Sequence, residues 1–118
     1  MYIITKEFAF SASHQLTHLI DGHPCARVHG HHYIIVVELS AEELDEQGFV
    51  REYRDLDPLK VYIDETFDHR HLNDVLEKPT SEVLAKHFYD WCKARWDEVS
   101  AVRVSETPKI WAEYRPSA

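Results

Sequence analysis

Two long segments with alternating side chains restrict this 118-residue chain to folds built on a sheet of paired strands. Residues 2–14 alternate, so that Phe8, Phe10, Ala12 and His14 share one face of a predicted strand. A loop over about residues 15–28 separates it from a second predicted strand over about residues 29–40. One face of this second strand is formed by alternate residues, namely His29, His31, Tyr33, Ile35, Val37 and Leu39.

Two helices and two further strands are predicted downstream. The dipeptide Asp57-Pro58 indicates a helix start, with Asp57 as N-cap and proline at the first helical position. A loop, "DHRHLNDVLEKP", precedes a longer helix that begins near Thr80, and "VSAVRVSE" and "IWAEYR" read as strands. The order ββααββ predicts an α+β fold in one domain over residues 1–118, with an open four-stranded antiparallel sheet and a helical layer on one face. Such a sheet has two edges, which suggests pairing with other subunits.

The composition restricts the partners. A formal net charge of −8 disfavours nucleic acid and anionic membranes, which both require a basic face. No apolar run approaches the roughly 18 residues of a membrane span, and "MYIITKEF" lacks the pattern of a signal peptide. We therefore expect a cytoplasmic protein in which Cys25 and Cys92 are free thiols.

The chain is rich in histidine, with nine in all, and "CARVHGHHY" at residues 25–33 concentrates them. His29 and His31 are two apart on a predicted strand, so both imidazoles leave the same face about 6–7 Å apart. If the first two strands pair as a hairpin, His14 joins them. Three histidines with an open fourth position are typical of a catalytic zinc site. The alternative is that these histidines are simply polar residues where the strands meet a loop.

Two further groups are candidates for proton transfer. A nearby cation would make the Cys25 thiol a base or nucleophile, whereas a small buried hydrophobe, the alternative, suits Cys92 better. Asp68 beside His69 would fix the tautomer of a general acid or base. A solvated loop is the plainer interpretation of that pair, and His71 is a second candidate.

The predicted strand that begins at Val99 alternates, so that Ser100, Val102, Val104 and Glu106 share one mainly apolar face. Glu106 ends that face, where an unpaired charge would be costly. It either lies in water beyond the sheet edge or binds a group with paired N–H donors. Thr80 in "PTSE" is most simply a helix N-cap. Three cations, Arg27, Lys109 and Arg115, have no spacing that identifies a phosphate site.

Taken together, these motifs resemble the 6-pyruvoyltetrahydropterin synthase superfamily, and within it the bacterial branch that makes 6-carboxy-5,6,7,8-tetrahydropterin for the queuosine pathway. The resemblance runs nearly end to end. It rests on "FSASH", "CARVHGHHY", "DHRHLN", "PTSEVLA", "SAVRVSET" and "AEYR". The three residues between Cys25 and "HGH" resemble the carboxy-forming branch, as does Val28 where another branch has glutamate. Glu52-Tyr53 departs from the usual Asp-Phe.

The resemblance implies that His14, His29 and His31 bind Zn²⁺, that Cys25, Asp68 and His69 are catalytic, and that Glu106, Thr80 and Ser81 bind the pterin. It implies a tunnelling fold that closes into a trimeric barrel, with two trimers forming a homohexamer and active sites between subunits. The implied reaction converts 7,8-dihydroneopterin triphosphate to 6-carboxytetrahydropterin, acetaldehyde and triphosphate. The alternatives are 6-pyruvoyltetrahydropterin formation on the same scaffold and a non-catalytic zinc- or pterin-binding protein.

Overall fold

The computed structural model describes residues 1–16, 22–23 and 26–117. It is an α+β fold of five strands and two helices: β1 (Tyr2–His14), β2 (His29–Ala41), α1 (Asp57–Thr66), β3 (Arg70–His71), α2 (Ser81–Lys93), β4 (Val99–Thr107) and β5 (Ile110–Tyr114). The strand order in the sheet is β3-β1-β2-β4-β5. Among the described residues, no helix is long and apolar enough to cross a membrane.

The first two strands form the longest ladder of the sheet. They pair antiparallel from Tyr2 opposite Ala41 to His14 opposite His29, which confirms the predicted hairpin. Because side chains alternate along a strand, one face of this ladder supplies the buried aromatic pair Phe10 and Tyr33, whose rings stack 4.9 Å apart. The same face continues to His14 at the end of the ladder.

The two helices cover the apolar face of the sheet. The core cluster includes Ile63 of α1 and Phe88 of α2 together with Phe67, which follows α1. The Phe67 ring lies 4.8 Å from that of Phe88 and 5.7 Å from that of Phe10. Burying such side chains contributes about 1.5–3 kcal/mol each, so this packing fixes the helices relative to the strands.

The sheet differs from the predicted one at one edge. The described residues form five strands instead of four, because Arg70 and His71 form a short strand that pairs parallel with Ala12 and Ser13. A two-residue strand is too short to produce a recognisable alternation. Apart from this contact, the outer edge of β1 has no partner strand among the described residues.

Two local predictions were wrong. Asp57 is the first residue of α1 rather than its N-cap, because a 3₁₀ turn over Tyr53–Leu56 runs directly into the helix and leaves Leu56 at the cap position. The alternation predicted for β4 also breaks at Ser100. The register with β2 shifts there, so that Val99 joins Val102 and Val104 in the core cluster.

A buried carboxylate lies beside the register shift. Glu38 is only 4% exposed, and its two oxygens accept hydrogen bonds from the Arg115 guanidinium at 2.8 and 3.1 Å. The Ser100 hydroxyl donates a third bond at 2.6 Å. Arg115 is one of the three cations that the sequence analysis considered for a phosphate site, and it is already paired with a carboxylate.

Candidate metal centre and its surroundings

Three histidines meet where the β1–β2 ladder ends. His14 lies opposite His29, and His31 lies opposite Ala12, so all three rings leave the same face of the two strands. One ligand atom from each ring lies within 4.8 Å of the other two, and this group could hold a metal ion. His14 is only 1% exposed. The structure thus brings together the three residues that the sequence analysis grouped as ligands.

The hydrogen bonds of His14 and His29 fix their tautomers. The Nδ1 atom of His14 lies 2.9 Å from the carbonyl oxygen of Pro79, and that of His29 lies 2.7 Å from the carbonyl oxygen of Arg27. A carbonyl oxygen only accepts hydrogen bonds, so each Nδ1 carries the proton. In the neutral rings both Nε2 atoms then bear lone pairs, and these two atoms are 2.7 Å apart.

The third ring, that of His31, also has a buried nitrogen that needs a partner. The Nε2 atom of His31 is buried without a hydrogen-bond partner among the described residues. Burial is the main cause that lowers the pKa of His31, and it also lowers the pKa of His14, which favours the neutral rings that bind metals. The Nε2 lone pairs of His14 and His29 and the unpartnered Nε2 of His31 therefore face one small region, where a cation would be bound by all three neutral rings. This donor set fits Zn²⁺.

Glu106 lies beside this group rather than in open water. One of its carboxylate oxygens is 3.4 Å from His31 Nε2, and the other accepts a hydrogen bond from the Ser81 hydroxyl at 2.6 Å. Its side chain is 17% exposed. Ser81 and Glu106 also line a cleft of about 360 Å³ next to β5. The carboxylate is thus held at the border between the histidines and a cavity.

Thr80 is the N-cap of α2. Its side-chain oxygen accepts a hydrogen bond from the backbone N–H of Val83 at 3.2 Å, which confirms the capping role. The same turn supplies the carbonyl of Pro79 to His14. The start of α2 therefore supports a ring of the metal group, and no pattern in the sequence indicated this.

Asp68 and His69 form the predicted pair. Asp68 Oδ2 lies 2.9 Å from His69 Nδ1, and Asp68 Oδ1 accepts from the backbone N–H of Ser11 at 2.9 Å. The Ser11 hydrogen bond, followed by the one from His69, lowers the pKa of Asp68. His69 has a positive φ of 58°, and its side chain is 82% exposed. The carboxylate therefore orients an imidazole that projects outwards.

The structure does not bring this pair into contact with the metal group. Both His31 and His69 line a cleft of about 520 Å³, but no described hydrogen bond or ring contact joins His69 to the three histidines. His71, the second candidate, is bonded through Nδ1 to the Ser13 hydroxyl at 2.9 Å.

The two cysteines have different outcomes. Cys25 lies outside the described residues, so its predicted catalytic role stays a prediction. Cys92 is fully buried in the core as a free thiol, and burial raises its pKa to about 12. It is the inert core cysteine that the sequence analysis expected.

Comparison with known proteins connects this site to a family. The family model described as 6-pyruvoyl tetrahydropterin synthase matches residues 3–117. The 6-carboxy-5,6,7,8-tetrahydropterin synthase of Synechocystis is 37% identical over 129 residues, covering 97% of this chain and 93% of that protein. The synthase of the same name from Bacillus subtilis is 33% identical over 127 residues, covering 96% and 84%.

The solved structures agree with the sequence comparison. The Caenorhabditis elegans 6-pyruvoyl tetrahydropterin synthase superposes with a TM-score of 0.82 at 29% identity, covering 99% of this chain and 98% of that one. The match extends over both helices and the whole sheet, including the segments that carry the three histidines and Glu106. The chain therefore belongs to the 6-pyruvoyl tetrahydropterin synthase family.

Proposed function

We propose that the protein is a zinc-dependent lyase that converts 7,8-dihydroneopterin triphosphate and one water molecule to 6-carboxy-5,6,7,8-tetrahydropterin, acetaldehyde and triphosphate. The relatives that bear the name of this synthase support the reaction, since they match almost the whole chain. The observation that carries the proposal is the convergence of three imidazole nitrogens beside a carboxylate. We take residues 1–118 as a single catalytic domain.

His14, His29 and His31 would hold the ion. Bound there, Zn²⁺ would act as a Lewis acid that polarises the side-chain oxygens of the substrate. The backbone carbonyls of Pro79 and Arg27 hold the His14 and His29 rings with their Nε2 atoms pointing inwards. Such outer-shell partners fix ring orientation and raise ligand basicity.

Glu106 is suited to bind the pterin. The 2-amino and N3 edge of a pterin offers two adjacent N–H donors, and an ionised carboxylate accepts two such bonds. The Ser81 hydroxyl already holds one oxygen of Glu106 from the side of α2. We assign Ser81 and Thr80 to the support of this carboxylate and of the ring, with Thr80 acting through the helix cap that it forms.

Proton transfer falls to Cys25 and to the Asp68–His69 pair. Cys25 would remove a proton from the substrate side chain as a thiolate. His69 would return a proton or act on a hydroxyl group, while Asp68 holds Nδ1 so that Nε2 is presented outwards. These proton transfers accompany loss of triphosphate, addition of one water molecule and cleavage of a carbon–carbon bond, and the sum requires no redox cofactor.

The exposure of His69 supports a site that is shared between subunits. Its side chain is largely exposed, and the outer edge of β1 is unpaired over most of its length among the described residues. Pairing of this edge with β5 of a neighbouring subunit would extend the sheet. We propose a barrel-shaped trimer and a homohexamer of two trimers, in which His69 of one subunit serves the metal group of the next.

Product analysis distinguishes this reaction from its nearest alternative. The matched family model and the Caenorhabditis elegans structure have the name of the pyruvoyl-forming enzyme, which favours it as a second candidate. We would incubate the zinc-loaded protein with 7,8-dihydroneopterin triphosphate and identify the pterin by mass spectrometry, with an acetaldehyde assay alongside. Carboxytetrahydropterin with equimolar acetaldehyde supports the proposal. A pyruvoyl product without acetaldehyde supports the alternative.

The cellular role follows from the proposed product. The carboxytetrahydropterin would enter queuosine synthesis, and we place the enzyme in the cytoplasm, where its thiols stay reduced. Absence of turnover in a protein that holds stoichiometric zinc would instead favour a non-catalytic zinc- or pterin-binding protein.

A further inference from the structure

The rings of His14 and His29 depend on two backbone carbonyls that no side-chain substitution removes, those of Pro79 and Arg27. Their positions depend on whatever holds the backbone around them. Pro79 is fixed by the capped start of α2. Arg27 lies between the two long strands, and neither Arg27 nor Val28 is part of a helix or strand.

Gln15 joins the two ligand-bearing segments. It follows His14 directly in the chain, and its side-chain Nε2 donates a hydrogen bond to the carbonyl oxygen of Ala26 at 2.9 Å. Ala26 precedes Arg27, whose carbonyl orients His29. One side chain thus connects the residue after one proposed ligand with the backbone that supports another.

Asn73 holds Gln15 in turn. Its side-chain oxygen accepts from the backbone N–H of Gln15 at 2.8 Å, and its side-chain nitrogen donates to the backbone carbonyl of Gln15 at 2.6 Å. A single amide therefore satisfies both backbone groups of one residue. The contact continues the parallel pairing of β1 with β3 beyond Ser13 and His71, where the strand itself has ended.

We propose that Gln15 and Asn73 are positioning residues of the three-histidine site: Asn73 fixes the backbone of Gln15, and Gln15 fixes the segment whose carbonyl orients His29. The inference rests on the proposed function only in that the site binds zinc. Neither side chain is a ligand. Their effect is to keep the Nε2 atoms of His14 and His29 aimed at one point before the metal arrives, which lowers the cost of binding.

The test measures zinc affinity and metal geometry in the full-length protein without substrate. Gln15→Met keeps the length of the side chain but removes the donor to Ala26, and Asn73→Asp keeps the acceptor for the Gln15 N–H but removes the donor to its carbonyl. Gln47→Ala is the matched control, since Gln47 lies exposed in a turn after β2. Zinc affinity would be obtained by chelator competition, geometry from the visible spectrum of the Co²⁺-substituted protein, and stability of the metal-free proteins by urea unfolding.

We expect Gln15→Met and Asn73→Asp to bind zinc about 10- to 100-fold more weakly than wild type, with a changed Co²⁺ spectrum, while Gln47→Ala leaves both unchanged. A purely structural role predicts lower stability of the metal-free variants with wild-type zinc affinity and an unchanged Co²⁺ spectrum, and that result would overturn the inference. Gln15→Met leaves the backbone bonds to Asn73 intact, so it provides a folded variant if Asn73→Asp is too unstable to purify.

The outcomes separate this inference from the proposed function. If wild type binds zinc tightly and the variants bind weakly, the inference holds whether or not the wild type turns over the pterin. If wild type turns over the pterin and both variants bind zinc as tightly as it does, only the inference fails. Absence of zinc binding by wild type would overturn both.

Discussion

The Nε2 atoms of His14 and His29 lie 2.7 Å apart, although each ring already donates its Nδ1 proton to a backbone carbonyl. Two facing lone pairs at this distance repel each other, and most strongly in a buried site. A cation held between these two atoms would relieve that repulsion.

Zinc should stabilise the folded protein. A ligand present at about 1,000 times its dissociation constant adds about 4 kcal/mol to the free energy of unfolding, so a chelator should lower the denaturation midpoint markedly. His31→Ala should lose zinc and with it the response to the chelator. His32→Ala is the control, because His32 is exposed and contacts Ser11 on the other face of the strand. Zinc content after dialysis provides the second readout, and full metal occupancy in His31→Ala would refute the ligand set.

Glu106→Gln should retain zinc but bind the pterin weakly. The amide of glutamine replaces one acceptor oxygen with a donor, so the charge-assisted bonds to the pterin N–H groups are lost. Hydrogen bonds to charged groups contribute about 1.5–3 kcal/mol each, which corresponds to a KM raised by roughly 10- to 100-fold. Ser81→Ala, which removes only the bond at 2.6 Å to the carboxylate, should have a smaller effect. Steady-state kinetics would check both, and an unchanged KM in Glu106→Gln would argue against the assignment.

The two cysteines should respond in opposite ways to the same substitution. Cys25→Ala should keep zinc and substrate affinity but lose turnover by about 10²- to 10⁴-fold, as expected for the loss of a general base. Cys92→Ala should cost about 1 kcal/mol of stability because Cys92 is buried in the core, and its kcat should stay near that of wild type. Turnover in Cys25→Ala close to the wild-type rate would remove Cys25 from the mechanism.

Stability should fall on acidification partly because of Glu38. The hydrogen bond from Arg115 is the main cause that lowers the pKa of Glu38 below its ordinary value of 4.5. A carboxylate whose pKa is lower in the folded state stabilises the fold above the unfolded pKa, and this contribution is lost as the pH falls through the folded pKa. The loss therefore occurs below about pH 4.5.

Glu38→Gln tests that dependence. Urea unfolding of metal-free wild type and variant between about pH 5 and about pH 3 should give a free-energy difference that narrows as the pH falls. At neutral pH the variant should be less stable by about 1–3 kcal/mol, because the buried bonds to Arg115 and Ser100 are weakened. Glu42→Gln is the control, since Glu42 is exposed. Parallel curves for wild type and Glu38→Gln would contradict the prediction.

Mixing two inactive variants tests whether the site is shared between subunits. His31→Ala and His69→Ala should each be inactive alone. If His31 and His69 of one site come from different chains, random mixed oligomers at equal amounts should regain about a quarter of the wild-type sites. Mixing without subunit exchange provides the baseline. If both residues of a site come from the same chain, no mixture regains activity.

The long alternating strands of the fold were predictable from the sequence, whereas the two-residue strand and the register shift were not. The alternation through Phe10 and Tyr33 predicted the bounds of β1 and β2 closely, and the hairpin then placed His14 beside His29. Strand β3 is two residues long, and the register shift at Ser100 occurs where its side chain contacts Glu38. Such features arise from tertiary contacts and leave no periodic signal.

The candidate site divides in the same way. Residue type and strand spacing predicted the three histidines and marked Glu106 and the Asp68–His69 pair as candidates, and the resemblance supplied their roles. The supporting carbonyls of Pro79 and Arg27 were not predictable. Every residue has a backbone carbonyl, so the sequence does not show which of them will accept a hydrogen bond from a histidine. Gln15 and Asn73 were passed over for a similar reason, since their side chains bind backbone groups whose positions only the folded chain defines.

The most direct test of the central claim, that these three histidines hold the zinc ion on which the reaction depends, is an anomalous difference map from crystals of the zinc-loaded protein, collected on both sides of the zinc absorption edge. The account predicts one strong peak per subunit within bonding distance, about 2.0–2.1 Å, of the Nε2 atoms of His14, His29 and His31. A protein that is active in solution but whose crystals show no peak at these atoms, or show the peak elsewhere, would contradict it.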